Sequence, residues 1–94
     1  MNAQDLILNI AVNFGRLSRF SQEGRKKRIK QFLDQTQQYL NQLDNIQVSD
    51  RFKPTLDRFK QELALLKKEP VTTYDWAEKA LTWANILQHR AKLA

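Results

Sequence analysis

"SQEGRKKRIKQFL", residues 21–33, is the stretch on which the fold turns. It contains Gly24, one of only two glycines in the chain, between two runs whose apolar residues recur at helical spacing. Two junctions are compatible with it. Gly24 can be the C′ residue that stops a first helix, or Ser21 can cap a second. In either case five cations (Arg25, Lys26, Lys27, Arg28 and Lys30) fall within six positions at or near a helix start.

Upstream, Leu6, Ile7, Ile10, Phe14 and Leu17 form one apolar stripe over about residues 3–20. Leu8, Ala11 and Val12 widen it beyond a normal core face. Either this helix is buried on two sides, or the extra row pairs with another chain. Leu8 and Val12 are thus the candidate oligomer interface, and a homodimer is the commonest closure. Downstream, Ile29, Phe32, Leu33, Thr36, Tyr39, Leu40, Leu43 and Ile46 mark a second helix over about 22–46.

A third helix, about 50–68, keeps a/d spacing at Phe52, Leu56, Phe59, Leu63 and Leu66, with Pro54 in its first turn. A fourth, about 73–92, follows "TTYD", in which Thr72 and Asp75 have the spacing of a capping box. Its first row is Trp76, Ala80, Trp83 and Leu87, and its second is Ala77, Leu81, Ala84 and Ala91. No strand pattern occurs. Two glycines and two prolines in 94 residues leave few turns, so the elements must be long. The expected fold is all-α: a single-domain (1–94) antiparallel up-down-up-down four-helix bundle.

That topology gives the basic run a location. The junctions of helices one with two and three with four share one end of the bundle. Arg16, Arg19, Arg25, Lys26, Lys27, Arg28 and Lys30 gather there, with Lys67 and Lys68 across from them. Residues 16–30 carry seven basic side chains against one acid (Glu23), while the other seventy-nine residues are neutral in sum. The net charge of +6 is therefore local. Cations at a helix N-terminus cost about 0.3–1 kcal/mol each at low salt. A chain selected for stability alone would place Asp or Glu there.

The expected function is a non-enzymatic interaction or regulatory module that presents this basic end to an acidic protein surface. The alternative is a sequence-tolerant nucleic-acid binder using the same cations. "GRKKR" (24–28) resembles the arginine-rich peptides that bind RNA, over five residues only. No enzyme, cofactor or metal site is expected. His89 is the only histidine, cysteine is absent, and Ser18 and Ser21 have no histidine base nearby in the sequence. Trp76 and Trp83, seven apart, are expected in the core, while Tyr74 near the basic end is free to stack or to staple. The opening "MNAQDLILNIAVNFGR" lacks a basic n-region and is interrupted by Asn9 and Asn13, so it reads as neither signal peptide nor membrane span. With no cysteine, a cytoplasmic setting is expected. A membrane partner is disfavoured because the apolar stripes are committed to the core.

Overall fold

A computed structural model describes all of residues 1–94. Four α-helices run in chain order: α1 (Ala3–Gln22), α2 (Lys26–Leu43), α3 (Lys53–Leu66) and α4 (Tyr74–Arg90), followed by a 3₁₀ turn, Ala91–Leu93. There are no strands. The particle measures 36 × 19 × 19 Å. Its long axis is set by α1, whose 20 residues span about 30 Å.

Side-chain pairs fix the direction of every neighbour. Phe20 meets Phe32 and Asn13 bonds Gln35, so α1 and α2 are antiparallel. Lys67 reaches Gln37 and Lys60 reaches Asp44, so α2 and α3 are antiparallel. Arg90 bonds Thr55 and Trp76 bonds the Leu66 carbonyl, so α3 and α4 are antiparallel. Ser18 bonds the Ala77 carbonyl, which closes α4 onto α1. The chain is an up-down-up-down four-helix bundle.

The helices are not equally spaced, and side-chain size explains why. The backbones of α1 and α4 approach closely, as do those of α1 and α2, whereas α3 makes almost no such approach. Small buried residues line the α1–α4 seam: Ala11 and Ser18 on one side, Ala77, Ala80 and Ala84 on the other. The inner face of α3 is instead Leu56, Phe59, Leu63 and Leu66, which fill a wider gap. Phe59 stands between Phe14 on α1 and Trp83 on α4, with centroids at 5.0 and 5.5 Å in edge-to-face contact. Trp76 is fully buried, and its indole N–H donates to the Leu66 carbonyl at 2.9 Å, satisfying the one polar atom it buries.

The α1–α2 junction resolves in favour of Gly24. Its φ of +69° is the left-handed conformation that glycine adopts without steric cost. The Gly24 N–H donates to the Ser21 carbonyl and the Arg25 N–H to the Phe20 carbonyl, the bond pair of a Schellman motif. Ser21 does not cap α2. It is buried inside α1, and its hydroxyl donates to the Val71 carbonyl at 2.6 Å. Helix α2 accordingly begins at Lys26, not at about 22, and ends at Leu43, short of Ile46.

Other boundaries shift for local reasons. A turn over Ser49–Phe52, with the Ser49 carbonyl bonded to the Phe52 N–H, delays α3 to Lys53. The cap of α4 is Thr73, one residue later than the Thr72 box predicts. The Thr73 hydroxyl accepts from the Trp76 N–H at 3.2 Å, and Asp75 falls within the first turn without a reciprocal bond. Leu81, expected on the second inner row of α4, is exposed. It lies about 120° around the helix from the Trp76–Leu87 row, past the edge of the buried arc.

Candidate functional site: the basic end

The Schellman turn that ends α1 also starts α2, so no residue is free to serve as a conventional cap. Arg25 occupies the N-cap position and makes no side-chain cap bond. There is no acid in the first turn of α2, which instead contains Lys26, Lys27 and Arg28. The backbone N–H groups of Lys27 and Arg28 have no backbone acceptor. Gly24 to Arg28 frame a shallow, open concavity without any hydrophobic residue. Free N–H donors, the positive end of the helix dipole and four cationic side chains all meet there. Such an arrangement suits an anion.

Around this tip the cations sort into two groups. On the α1–α2 side, three arginines lie against a pair of phenylalanines. Arg16 stands over the Phe32 ring at 5.6 Å, Arg19 over Phe20 at 5.3 Å and Arg25 over Phe20 at 5.9 Å. The rings themselves pack at 5.5 Å. Cation–π contacts of this kind contribute about 0.5–1 kcal/mol at exposed sites and hold the guanidinium planes in place. The Arg25 contact occupies the place where a Schellman turn normally has an apolar residue against C3. Arg25 is also paired with Glu23 at 3.3 Å, the one acid that directly offsets the cluster.

On the α2–α3 side, Lys26, Lys30 and Lys67 border one cleft with Ile29, Leu33 and Val71, and Asp34 is its single acid. The Lys67 ammonium is turned along α2 and donates to the Gln37 side chain at 2.6 Å. Lys68, together with Lys67, borders a neighbouring groove between α2 and α3, beside Asp44 and Lys60. Eight of the nine expected cations thus border the tip, the arginine–phenylalanine stack or this cleft, and Lys68 borders only the α2–α3 groove.

Two other acids, Glu69 and Glu78, are engaged elsewhere. Glu69 pairs with Lys79 at 3.2 Å. Tyr74 is 77% exposed, and hydrogen bonding to the Glu78 carboxylate pushes its phenol above the ordinary 10.0. The hydroxyls of Ser18 and Ser21 are both spent on backbone carbonyls. No group of three or more His, Cys, Asp or Glu side chains converges as a metal site. The aromatic–arginine stack is the feature that sequence reading missed. Helix periodicity carries no signal for it, because Arg16 on α1 meets the Phe32 ring of α2 only once the two helices have packed.

Fold and site together define a small all-α four-helix protein with one strongly basic end. No family model matches the chain, and neither a curated protein nor a solved structure matches it significantly. No helix is long and apolar enough to cross a membrane.

Proposed function

We propose that the protein is a non-enzymatic interaction module whose basic end docks an acidic protein surface. The observation that carries this reading is the first turn of α2: three exposed cations and no acid, beneath free N–H groups and without a cap. Fold stability disfavours every one of those choices, so a partner is the simpler reason for them.

The size of the end sets the kind of contact. Its cross-section of 19 × 19 Å is about 360 Å² in projection, well under the roughly 800 Å² per partner of a standard interface. Docking is therefore transient, fast and salt-sensitive. Nucleic acid is the second reading, since the same cations suit phosphates. It is weaker on two counts. Beyond Lys30 the exposed face of α2 is Gln31, Asp34, Gln35, Gln38, Asn41 and Gln42, so there is no cationic track to follow a backbone. Phe20 is buried and the Phe32 ring has Arg16 over it, so neither offers an open face on which a base could stack. The exposed Leu8–Val12 row is a second contact surface, for a second copy of the chain. The reading assumes a cytoplasmic setting.

The test is fluorescence anisotropy with labelled polyglutamate, mixed-sequence DNA and RNA, at low and physiological salt. The variant replaces Lys26, Lys27 and Arg28 by Gln. Polyglutamate binding that the variant loses at least tenfold supports the proposal. Tighter binding to nucleic acid, with a salt slope that falls by about three units in the variant, makes phosphate the ligand instead. Absence of binding to all three probes at low salt overturns the reading.

A further inference from the structure

Six large hydrophobic residues are exposed, and three of them (Leu8, Val12 and Leu81) border a single shallow cleft between α1 and α4. The cleft is floored by Ala11, Gly15 and Ala84. Although α1 packs against both α2 and α4, Leu8 remains 36% and Val12 53% exposed. Burial within the chain therefore does not account for this row.

Along α1 the row continues in both directions, exposed except at half-buried Gly15. Asp5, Leu8, Val12, Gly15 and Arg19 follow one another at spacings of three and four. At 100° per residue they fall within about 80° of arc, the geometry of a helix-pairing seam. Gly15 sits mid-helix, where glycine costs about 1 kcal/mol relative to alanine. A Cβ there would meet nothing within 4 Å, so no contact inside the chain requires glycine. Asp5 and Arg19, at the two ends of the row, have no ion-pair partner in their own chain.

We infer that α1 carries an antiparallel, self-complementary seam through which two copies of the chain pair about a two-fold axis near Val12. That axis sets Val12 on its counterpart and lays Leu8 of each copy over Gly15 of the other, beside Leu81. Asp5 of each copy then lies opposite Arg19 of the other, so the ends of the seam are closed by two ion pairs. A parallel seam would oppose Asp5 to Asp5 and Arg19 to Arg19, and like charges facing each other are destabilising. Charge thus selects both the occupant and its direction.

Pairing shares one residue, Arg19, with the basic end but does not depend on what that end binds, and one consequence does rest on that reading. The Arg19 positions of the two copies lie about 21 Å apart along the seam, and the two basic ends point in opposite directions. The dimer would then bridge two acidic surfaces and would not grip one from both sides.

Because the chain has no cysteine, introduced thiols report the geometry directly. Sedimentation of the unmodified protein up to about 500 µM should reveal a concentration-dependent dimer. Under mild oxidation Val12→Cys should cross-link much faster than the exposed control Gln38→Cys. The double variant Asp5→Cys/Arg19→Cys should cross-link and Asp5→Cys alone should not. Gly15→Leu, which has room within its own chain, should keep the helical circular dichroism and weaken association at least tenfold. A monomer across the whole range overturns the inference. So does Val12→Cys cross-linking no faster than the control, and so does Asp5→Cys cross-linking to itself, which would mean a parallel seam. Loss of polyglutamate binding in the Gln variant leaves all of these readouts unchanged, so the two readings fail separately.

Discussion

Replacing Lys26 and Lys27 by Glu should make this protein more stable. Neither side chain has a hydrogen-bond or ion-pair partner, so the exchange breaks no polar contact. Both lie in the first turn of a helix with no acid there and no side-chain cap. Each substitution removes a cation that costs about 0.3–1 kcal/mol and adds an anion that contributes a similar amount. Both sites are exposed, so the low end of that range, about 0.3–0.5 kcal/mol per effect, applies, which gives about 1–2 kcal/mol for the pair at low salt. In a domain of this size such a gain raises Tm by about 4–16 °C. The assay is thermal and urea unfolding followed by circular dichroism, at low salt and again in high salt. The Gln pair should show about half the gain, since it removes the cations without adding anions. Salt should shrink both gains by screening. An unchanged or lowered Tm at low salt would refute the claim that this end sacrifices stability. The main support for a functional basic end would fall with it.

Further outcomes follow from particular residues. Gly24→Ala should cost about 1–2 kcal/mol through its positive φ alone, whereas Gly15→Ala should raise monomer stability by about 1 kcal/mol; urea unfolding of dilute samples measures both. Trp76→Phe strands the Leu66 carbonyl and should cost about 1–3 kcal/mol in the same assay. Buried Asn13 bonds Gln35 at 3.1 Å and Thr36 at 3.5 Å. Asn13→Leu and Thr36→Val together should therefore cost less than the sum of the two single changes in a double-mutant cycle. Lys53, at 2.9 Å, holds the Asp50 carboxyl below its ordinary 3.8 by hydrogen bonding and charge. The resulting stabilisation is present above pH 3.8 and is lost as pH falls through the lower folded value, so Lys53→Gln should flatten that part of the acid-unfolding curve.

Much of the site was legible in the sequence. The charge of residues 16–30 is a matter of counting, and up-down topology places Lys67 across from Lys26 and Lys30. The arginine stack was not, because it depends on Phe32 of one helix reaching Arg16 of another. Local pattern does not report which rings end up beneath which cations.

Sequence alone determined the four helices, their order and the inward rows at Leu6–Leu17, Ile29–Leu43, Phe52–Leu66 and Trp76–Leu87. Period and punctuation are local properties, and glycine and proline are too scarce here to allow many turns. Tertiary structure decided the rest. Whether Gly24 or Ser21 defined the junction depended on Val71 arriving to accept the Ser21 hydroxyl. Whether Leu8, Val12 and Leu81 were core or surface depended on how closely the alanine-lined seam let α4 approach α1. Both outcomes hang on contacts between residues fifty or more positions apart, and a periodic pattern gives helix faces without saying which neighbours will cover them.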